Sequence, residues 1–353
     1  MSGRLKLRRG IVVQEDPLTV EVDGVRRPAW ADTALLGEMR EGDEVVVNVA
    51  ALDLELGSGG FDVVHVNLTR GLAAEPTGDE HVMKLNYTSL QHPVAPIEQP
   101  PDAPDQPGRN AFPMRSMGNA LRPGSAVLVI PLHGHLAPAV WAAKQAESDL
   151  KVGYVQTGGG ALPGSLSRDV AELRERGLLT GHLTAPPAYG GEHDAISVAG
   201  AIDAAIERLG WDAAIAGPGP GIIGSDSPLG HGGMVALDTA HAALALGLPT
   251  LVSPRLSGAD PRERHRPVSH HTLTVLKMLL APVEIPVPAG NPVATAVLAE
   301  AAAWRHRLHE LPADLAGYSR SGLPAQTMGR TLEEDPLFFA APLAAGAALR
   351  HKG

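Results

Sequence analysis

Residues 126–135 read AVLVIPLHGH, an apolar run without alternation that stops at two histidines. A strand that is apolar at every position is buried on both faces, which is the mark of a parallel sheet held between helices. Similar runs recur at residues 152–156, 178–184, 213–216, 250–253 and 283–287. Amphipathic stretches separate them. Leu166, Val170 and Leu173 share one helical face before Gly177, and Ile196, Ala199, Ile202, Ile206 and Leu209 share another before Gly210. Each glycine stands where a left-handed helix cap is wanted. About six such units predict an α/β fold over residues 118–310, a doubly wound and mostly parallel sheet. Val293, Val297, Ala301, Trp304 and Leu308 predict its last helix, and residues 311–353 read as an irregular tail.

Before this region the period differs. Residues 1–90 hold short β-type runs at 10–14, 18–22, 44–52 and 61–68, separated by turn pairs such as Asp23-Gly24 and Glu41-Gly42. Such pairs supply positive φ where strands reverse, so a small all-β barrel or sheet is expected. Arg4, Lys6, Arg8 and Arg9 would then guard a solvated edge strand. Residues 91–117 carry seven prolines by residue 113 among polar side chains, the composition of a linker or surface loop.

Composition narrows the chemistry. With 353 residues the chain has ample interior for two domains. Zero cysteines removes disulfides, thiol nucleophiles, thiolate zinc sites and iron–sulfur clusters. A net charge of −10 argues against a broad nucleic-acid surface, because such affinity rests on phosphate neutralisation by Lys and Arg. No apolar run reaches bilayer length or forms a signal core, so a cytoplasmic protein that makes no membrane contact is expected.

In open parallel sheets, ligands bind beyond the carboxyl ends of the strands, where loops and helix N-termini converge. The first strand leads into His133-Gly134-His135; the second into Thr157, Gly158 and Gly159; the fourth into residues 217–233 with Gly217, Gly219, Gly221, Ser225 and Asp226; the fifth into residues 254–272. That fifth loop holds Asp260-Pro-Arg-Glu-Arg-His-Arg266, with Arg264 and His265, then Ser269-His270-His271-Thr272. Ser269 is placed as a helix N-cap with both histidines in the first turn, where the dipole disfavours imidazolium. His133, His135, His270 and His271 are the candidate proton carriers. The glycine amides, Thr157, Ser225, Asp226, Arg264, His265 and Ser269 are the candidate ligand contacts.

Gly219-x-Gly221-x-x-Gly224 matches the dinucleotide fingerprint literally, yet it lies in the fourth unit, carries Pro218 and Pro220, and stands nine residues from the helix near Met234. No nucleotide cofactor is inferred from it. Ser227-Pro228 reads as the start of a helix aimed at the same place. His133 and His135 face one side if the strand continues, and so could grip a metal with Asp226 and a histidine of the Ser269–Thr272 turn; they diverge if a helix has begun.

The segments Leu56-Gly-Ser-Gly-Gly60, His81-Val-Met-Lys-Leu85, residues 217–221, Asp260–His265, Ser269–Thr272, Thr327-Met-Gly-Arg330, Glu334-Asp-Pro336 and Phe338-Phe339 together resemble the bacterial domain of unknown function family 3866. That family has no assigned activity. The resemblance implies that the chain is one unit and that the tail belongs to it.

Three expectations follow. The first is a small-molecule enzyme whose anionic ligand, phosphate or carboxylate, lies on the strand-end loops. Arg264 or Arg266 would balance the charge there, and a histidine would carry protons. The second is a metal-dependent hydrolase with a His/Asp site, and the third a binding scaffold without catalysis. No Gly-x-Ser-x-Gly elbow or Walker lysine is present.

Overall fold

A computed structural model describes residues 4–55, 59–72, 80–99, 122–225, 227–303 and 305–349. The chain divides into two compact units, Met1–Pro93 and Val94–Gly353.

The first unit contains a closed five-stranded barrel of β1 (Leu7–Gln14), β2 (Thr19–Val22), β3 (Val25–Trp30), β4 (Glu44–Asn48) and β5 (Asp62–Asn67). The order around it is β1-β2-β3-β5-β4, with β3 and β5 parallel and the other described pairs antiparallel. This is the Greek-key order of an OB-type barrel. Val12, Val20, Val22, Val45, Val47 and Val64 fill it from alternate positions. The Asp23-Gly24 pair turns between β2 and β3 with positive φ at both residues. β3 carried no clear signal in the sequence, because Arg26, Arg27 and Pro28 interrupt its alternation. The edge expected at the N-terminus is absent: β1 is paired on both sides, and its flanking cations are neutralised locally, Lys6 by Asp53 at 2.5 Å and Arg9 by Glu44 at 2.7 Å.

The second unit is an eight-stranded sheet, parallel throughout. Its strands are β6 (Ala126–Val129), β7 (Val152–Thr157), β8 (His182–Thr184), β9 (His193–Asp194), β10 (Ala213–Pro218), β11 (Thr250–Val252), β12 (Glu284–Pro288) and β13 (Arg307–Leu311). They lie in the order β9-β8-β7-β10-β6-β11-β12-β13. Two strands exceed the six expected, and both are edges. β9 is two polar residues long, and β13, read as the end of a helix through Leu308, has the sequence RLHEL with no apolar run. Trp304 of that expected helix lies outside the described residues.

Helices cover both faces. α1 (Leu136–Ala146) and α2 (Arg168–Glu175) pack with Leu128, Ile130, Tyr154 and Ile215 on one face. On the other, α3 (Val198–Glu207), α4 (Val235–Ala245), α5 (His270–Met278) and α6 (Pro292–Ala302) pack with Val127, Val129, Ala214 and Val252. Alternate residues of one strand therefore feed opposite cores, as continuous apolar runs require. Right-handed crossovers give this division, because the chain steps one way from β6 to β9 and the other way from β10 to β13. The crossover direction reverses around β7, β10, β6 and β11, the place where open sheets bind ligands.

Residues 311–353, expected to be irregular, instead carry α7 (Leu315–Arg320) and α8 (Pro336–Ala347). α8 is apolar all round and buried, with Pro342 inside it, so it shows no amphipathic period to read. Gly346 allows it to approach α1 closely, since a Cβ there would stand 2.1 Å from Ala139 O. The expected linker begins as packed chain: Ile97 N donates to Asp194 O at 2.8 Å, and the Glu98 carboxylate accepts from Ile196 N at 2.8 Å. Residues 100–121, most of the remainder, lie outside the described residues. Among the described residues no helix is long and apolar enough to cross a membrane.

Candidate functional site

Four connections meet beyond the ends of β6, β7, β10 and β11. The turn after β7 is fastened to the loop after β10, with Ala161 N donating to Pro220 O at 2.7 Å. A Cβ on Gly159 would stand 2.4 Å from Gly232 O, and one on Gly160 2.2 Å from Gly219 O. Gly158 closes on Pro187, Gly217 on Ile130 and Gly219 on Ala161. These glycines hold chain against chain, while Gly221, at φ +71°, has nothing near its Cβ position. The Thr157 hydroxyl is buried against Gly158 O, and Ser225 closes the loop tip by donating to Gly230 O at 2.9 Å. Asp226 lies outside the described residues. The helix expected at Ser227-Pro228 does not form there; a 3-10 turn at Gly232–Met234 leads into α4 instead.

His133 and His135 occupy a 3-10 turn and take different partners, so no shared ligand position forms between them. Tyr154 donates its hydroxyl to the Gly217 and Pro218 carbonyls at 3.0 and 2.8 Å; His133 Nδ1 lies 3.4 Å from that oxygen and its Nε2 2.7 Å from Ser167 Oγ. His135 Nδ1 pairs with Ser253 Oγ at 2.9 Å, and the ring meets Phe338 edge-on. Burial pushes His133 down to about 4 and His135 to about 3.

The densest chemistry follows β11. Arg255, fully buried, is the second residue after Ser253. Its backbone is held by Thr272 Oγ1 and by Ser269 N, which fixes it against the start of α5. One terminal nitrogen donates to His271 Nδ1 at 3.3 Å; the other donates to Asp260 Oδ2 at 3.2 Å and lies 3.6 Å from Met328 Sδ. Burial lowers this guanidinium to about 10, with Asp260 opposing the fall. Burial alone would raise the Asp260 carboxyl, but two Arg262 side-chain hydrogen bonds at 2.9 and 3.0 Å and the Arg262 amide hold it well below the usual range. The tail completes the cluster. Met328 and Gly329, both at positive φ, form a two-residue turn between Gln326–Thr327 and Arg330–Thr331. That turn carries Arg330 to Asp335 at 3.1 Å and to within 3.6 Å of Asp260. Asp335 in turn accepts from Ser257 Oγ at 2.5 Å and Gly258 N at 2.9 Å.

Four imidazoles stand beside these arginines. Ser269 caps α5, its Oγ accepting from His271 N and lying 2.7 Å from His265 Nδ1. His231 and His271 stack with centroids 3.5 Å apart and planes 8° apart; His270 lies 4.4 Å from His271 and 5.1 Å from His265. Burial, followed by the neighbouring charges, lowers all four, so they are neutral at neutral pH. Hydrogen bonding fixes two tautomers. His231 Nε2 donates to Pro228 O at 3.1 Å, leaving a lone pair on Nδ1, and His271 Nδ1 accepts from Arg255, leaving its proton on Nε2.

Several nitrogens here are buried without a hydrogen-bond partner among the described residues: Arg255 Nε, one Arg330 terminal nitrogen, His231 Nδ1, His270 Nε2 and His135 Nε2. Buried polar groups are nearly always satisfied, and these gather around one strand-end region. Nitrogens of His231, His270 and His271 lie within 4.8 Å of one another, which raises the question of a metal. A metal lies in the plane of each imidazole it binds. Two rings stacked 3.5 Å apart have no common point in plane, and the His271 Nδ1 lone pair already faces a guanidinium. Asp260 and Asp335 are committed to arginines. The unpartnered nitrogens are therefore mostly N–H donors, with the His231 Nδ1 lone pair beside them.

The model of the family described as Protein of unknown function (DUF3866) matches residues 28–346. The chain belongs to that family. Comparison with the curated proteins and with the solved structures gives no match. The matched span takes in every rim residue from His133 to Asp335, including the tail hairpin.

Of the expected contacts, the structure brings His265, Ser269, His270 and His271 together. Arg264 lies in the same loop, in the exposed part of the 3-10 turn Glu263–His265. Arg255, His231, Asp260, Asp335 and the placement of Arg330 were not read from sequence. Arg255 stands three residues past a strand end, and His231 closes a glycine loop just before a helix; those positions were the available signals.

Proposed function

We propose that this protein binds a small oxyanion-bearing molecule at the strand-end rim and uses the adjoining imidazoles to carry protons, as an enzyme would. The observation that carries this is the pair of buried guanidinium nitrogens, on Arg255 and Arg330, that have no hydrogen-bond acceptor among the described residues although both groups approach one carboxylate oxygen of Asp260. A buried N–H without an acceptor is costly, and guanidinium groups match phosphate or carboxylate oxygens. The N-terminal ends of α4 and α5 face the same rim and add favourable dipoles. His271, with its proton on Nε2, is placed as donor, and His270 Nε2 as a second exchange point.

Calorimetric titration of the full chain with inorganic phosphate and with acetate tests this. At least one should bind, and Arg330→Gln should weaken that binding about tenfold, the scale of a charged hydrogen bond. No binding of either ion, or an unchanged affinity in the variant, would overturn the proposal.

A further inference from the structure

The rim contains more than donors. His231 Nδ1 is an acceptor: its ring donates through Nε2 to the Pro228 carbonyl, so Nδ1 holds a lone pair, buried and facing no donor among the described residues. Space beside it is kept by Gly233, where a Cβ would stand 3.1 Å from Nδ1 and 3.5 Å from Pro131 O. Protonating Nδ1 instead would place a cation against a stacked His271 and a group of cations. The titratable and charged groups that act on it are His270 and His271 of α5 and Arg255 of the loop after β11; behind them stand Asp260, Arg262 and Arg330, which face Arg255, and Arg264, which faces His270. A ligand that satisfies this rim needs oxygens that accept from Arg255 and Arg330 and an O–H that donates to His231.

Resting on the oxyanion reading above, we infer that the anionic group is a phosphoryl group, inorganic phosphate or a phosphate monoester, bound while it still carries a proton, and that His231 Nδ1 accepts that proton's hydrogen bond. Carboxylate and sulfate carry no proton at neutral pH, whereas a phosphate monoester has a second pKa of about 6 and retains one in part of its population. For a sulfate, the oxygen brought to Nδ1 would meet a lone pair. Sulfate has the same tetrahedral shape and the full charge, so it separates the proton from everything else the site reads.

The test is a competition at fixed ionic strength and neutral pH on the full chain, comparing inorganic phosphate, phenyl phosphate and sodium sulfate by calorimetry. Phosphate is expected to bind about tenfold or more tightly than sulfate, the discrimination a mismatched buried polar pair produces. Phenyl phosphate binding as well as or better than phosphate assigns the site to an ester, and its failure to bind assigns it to the free ion. His231→Phe, which keeps the stack and removes the acceptor, should bring phosphate and sulfate to within about twofold. Should that variant fail to fold, the wild-type ratio alone decides. Equal binding of sulfate and phosphate by the wild-type protein overturns this inference and leaves oxyanion binding standing; binding of neither overturns this inference, and if acetate also fails to bind the oxyanion reading falls with it.

Discussion

Arg255 shows how a single position acquires meaning only in three dimensions. In sequence it is an arginine after Ser-Pro; in the fold its backbone is gripped by Ser269 and Thr272, and its guanidinium is shared between His271 and Asp260 while its Nε is buried with no acceptor among the described residues. The Ser269-His270-His271-Thr272 turn was legible because an N-cap signature has a local cause, the hydroxyl that accepts from the amide two residues on. His231 was not, since its partners come from α5, forty residues on. Gly233 belongs to the same residue-scale account. Gly233→Ala would press a methyl group toward His231 Nδ1 and Pro131 O. We expect phosphate affinity to fall several-fold while the unfolding free energy changes by less than about 1 kcal/mol, because the neighbours of that methyl are the edge of the His231 ring and one carbonyl. A stability loss larger than the affinity loss would show that Gly233 serves packing instead.

At the scale of elements, the long apolar strands were readable because both faces are buried, and the helices of α2 and α3 because their apolar residues recur on one face. Elements lacking either pattern were lost. β9 and β13 lie at sheet edges with few apolar residues, and α8 is apolar on every side, so neither period marks it. α8 is nonetheless what anchors the tail: Phe338 packs on His135, and Asp335 at its start holds Ser257 and Gly258. Gly346→Val would drive a side chain into Ala139 O, already 2.1 Å from where a Cβ would stand. Overpacking of this kind costs about 1–3 kcal/mol, so urea unfolding should show that loss. Because Arg330 and Asp335 lie on the segment α8 fixes, phosphate binding should weaken with it. A neutral substitution would contradict the close α1–α8 approach.

For the whole molecule, the predicted α/β class and all-β N-terminal unit correspond to a parallel sheet of eight strands and a closed barrel. The order of strands, and hence the crossover reversal that makes the rim, depends on which strands pair, and composition does not record that. Buried neutral histidines give the molecule a distinct pH response. Burial holds His133 near 4, His135 near 3 and His182 near 4, each from an ordinary value of 6.5. Between those values the unfolded chain binds protons that the folded chain refuses. Stability is therefore full above about pH 6.5 and falls on acidification toward pH 4, by up to about 1.4 kcal/mol per pH unit for each such group. Thermal unfolding followed from pH 8 to pH 4 should show a plateau and then a steep descent; a melting temperature that stays level to pH 4 would mean these imidazoles are not held neutral.

Diffraction from crystals soaked in inorganic phosphate puts the oxyanion rim itself to the test. The account predicts a tetrahedral peak within hydrogen-bond distance of Arg255 Nε, with Arg330 or His231 Nδ1 as its second contact. A rim that stays empty while phosphate decorates exposed arginines elsewhere would contradict it.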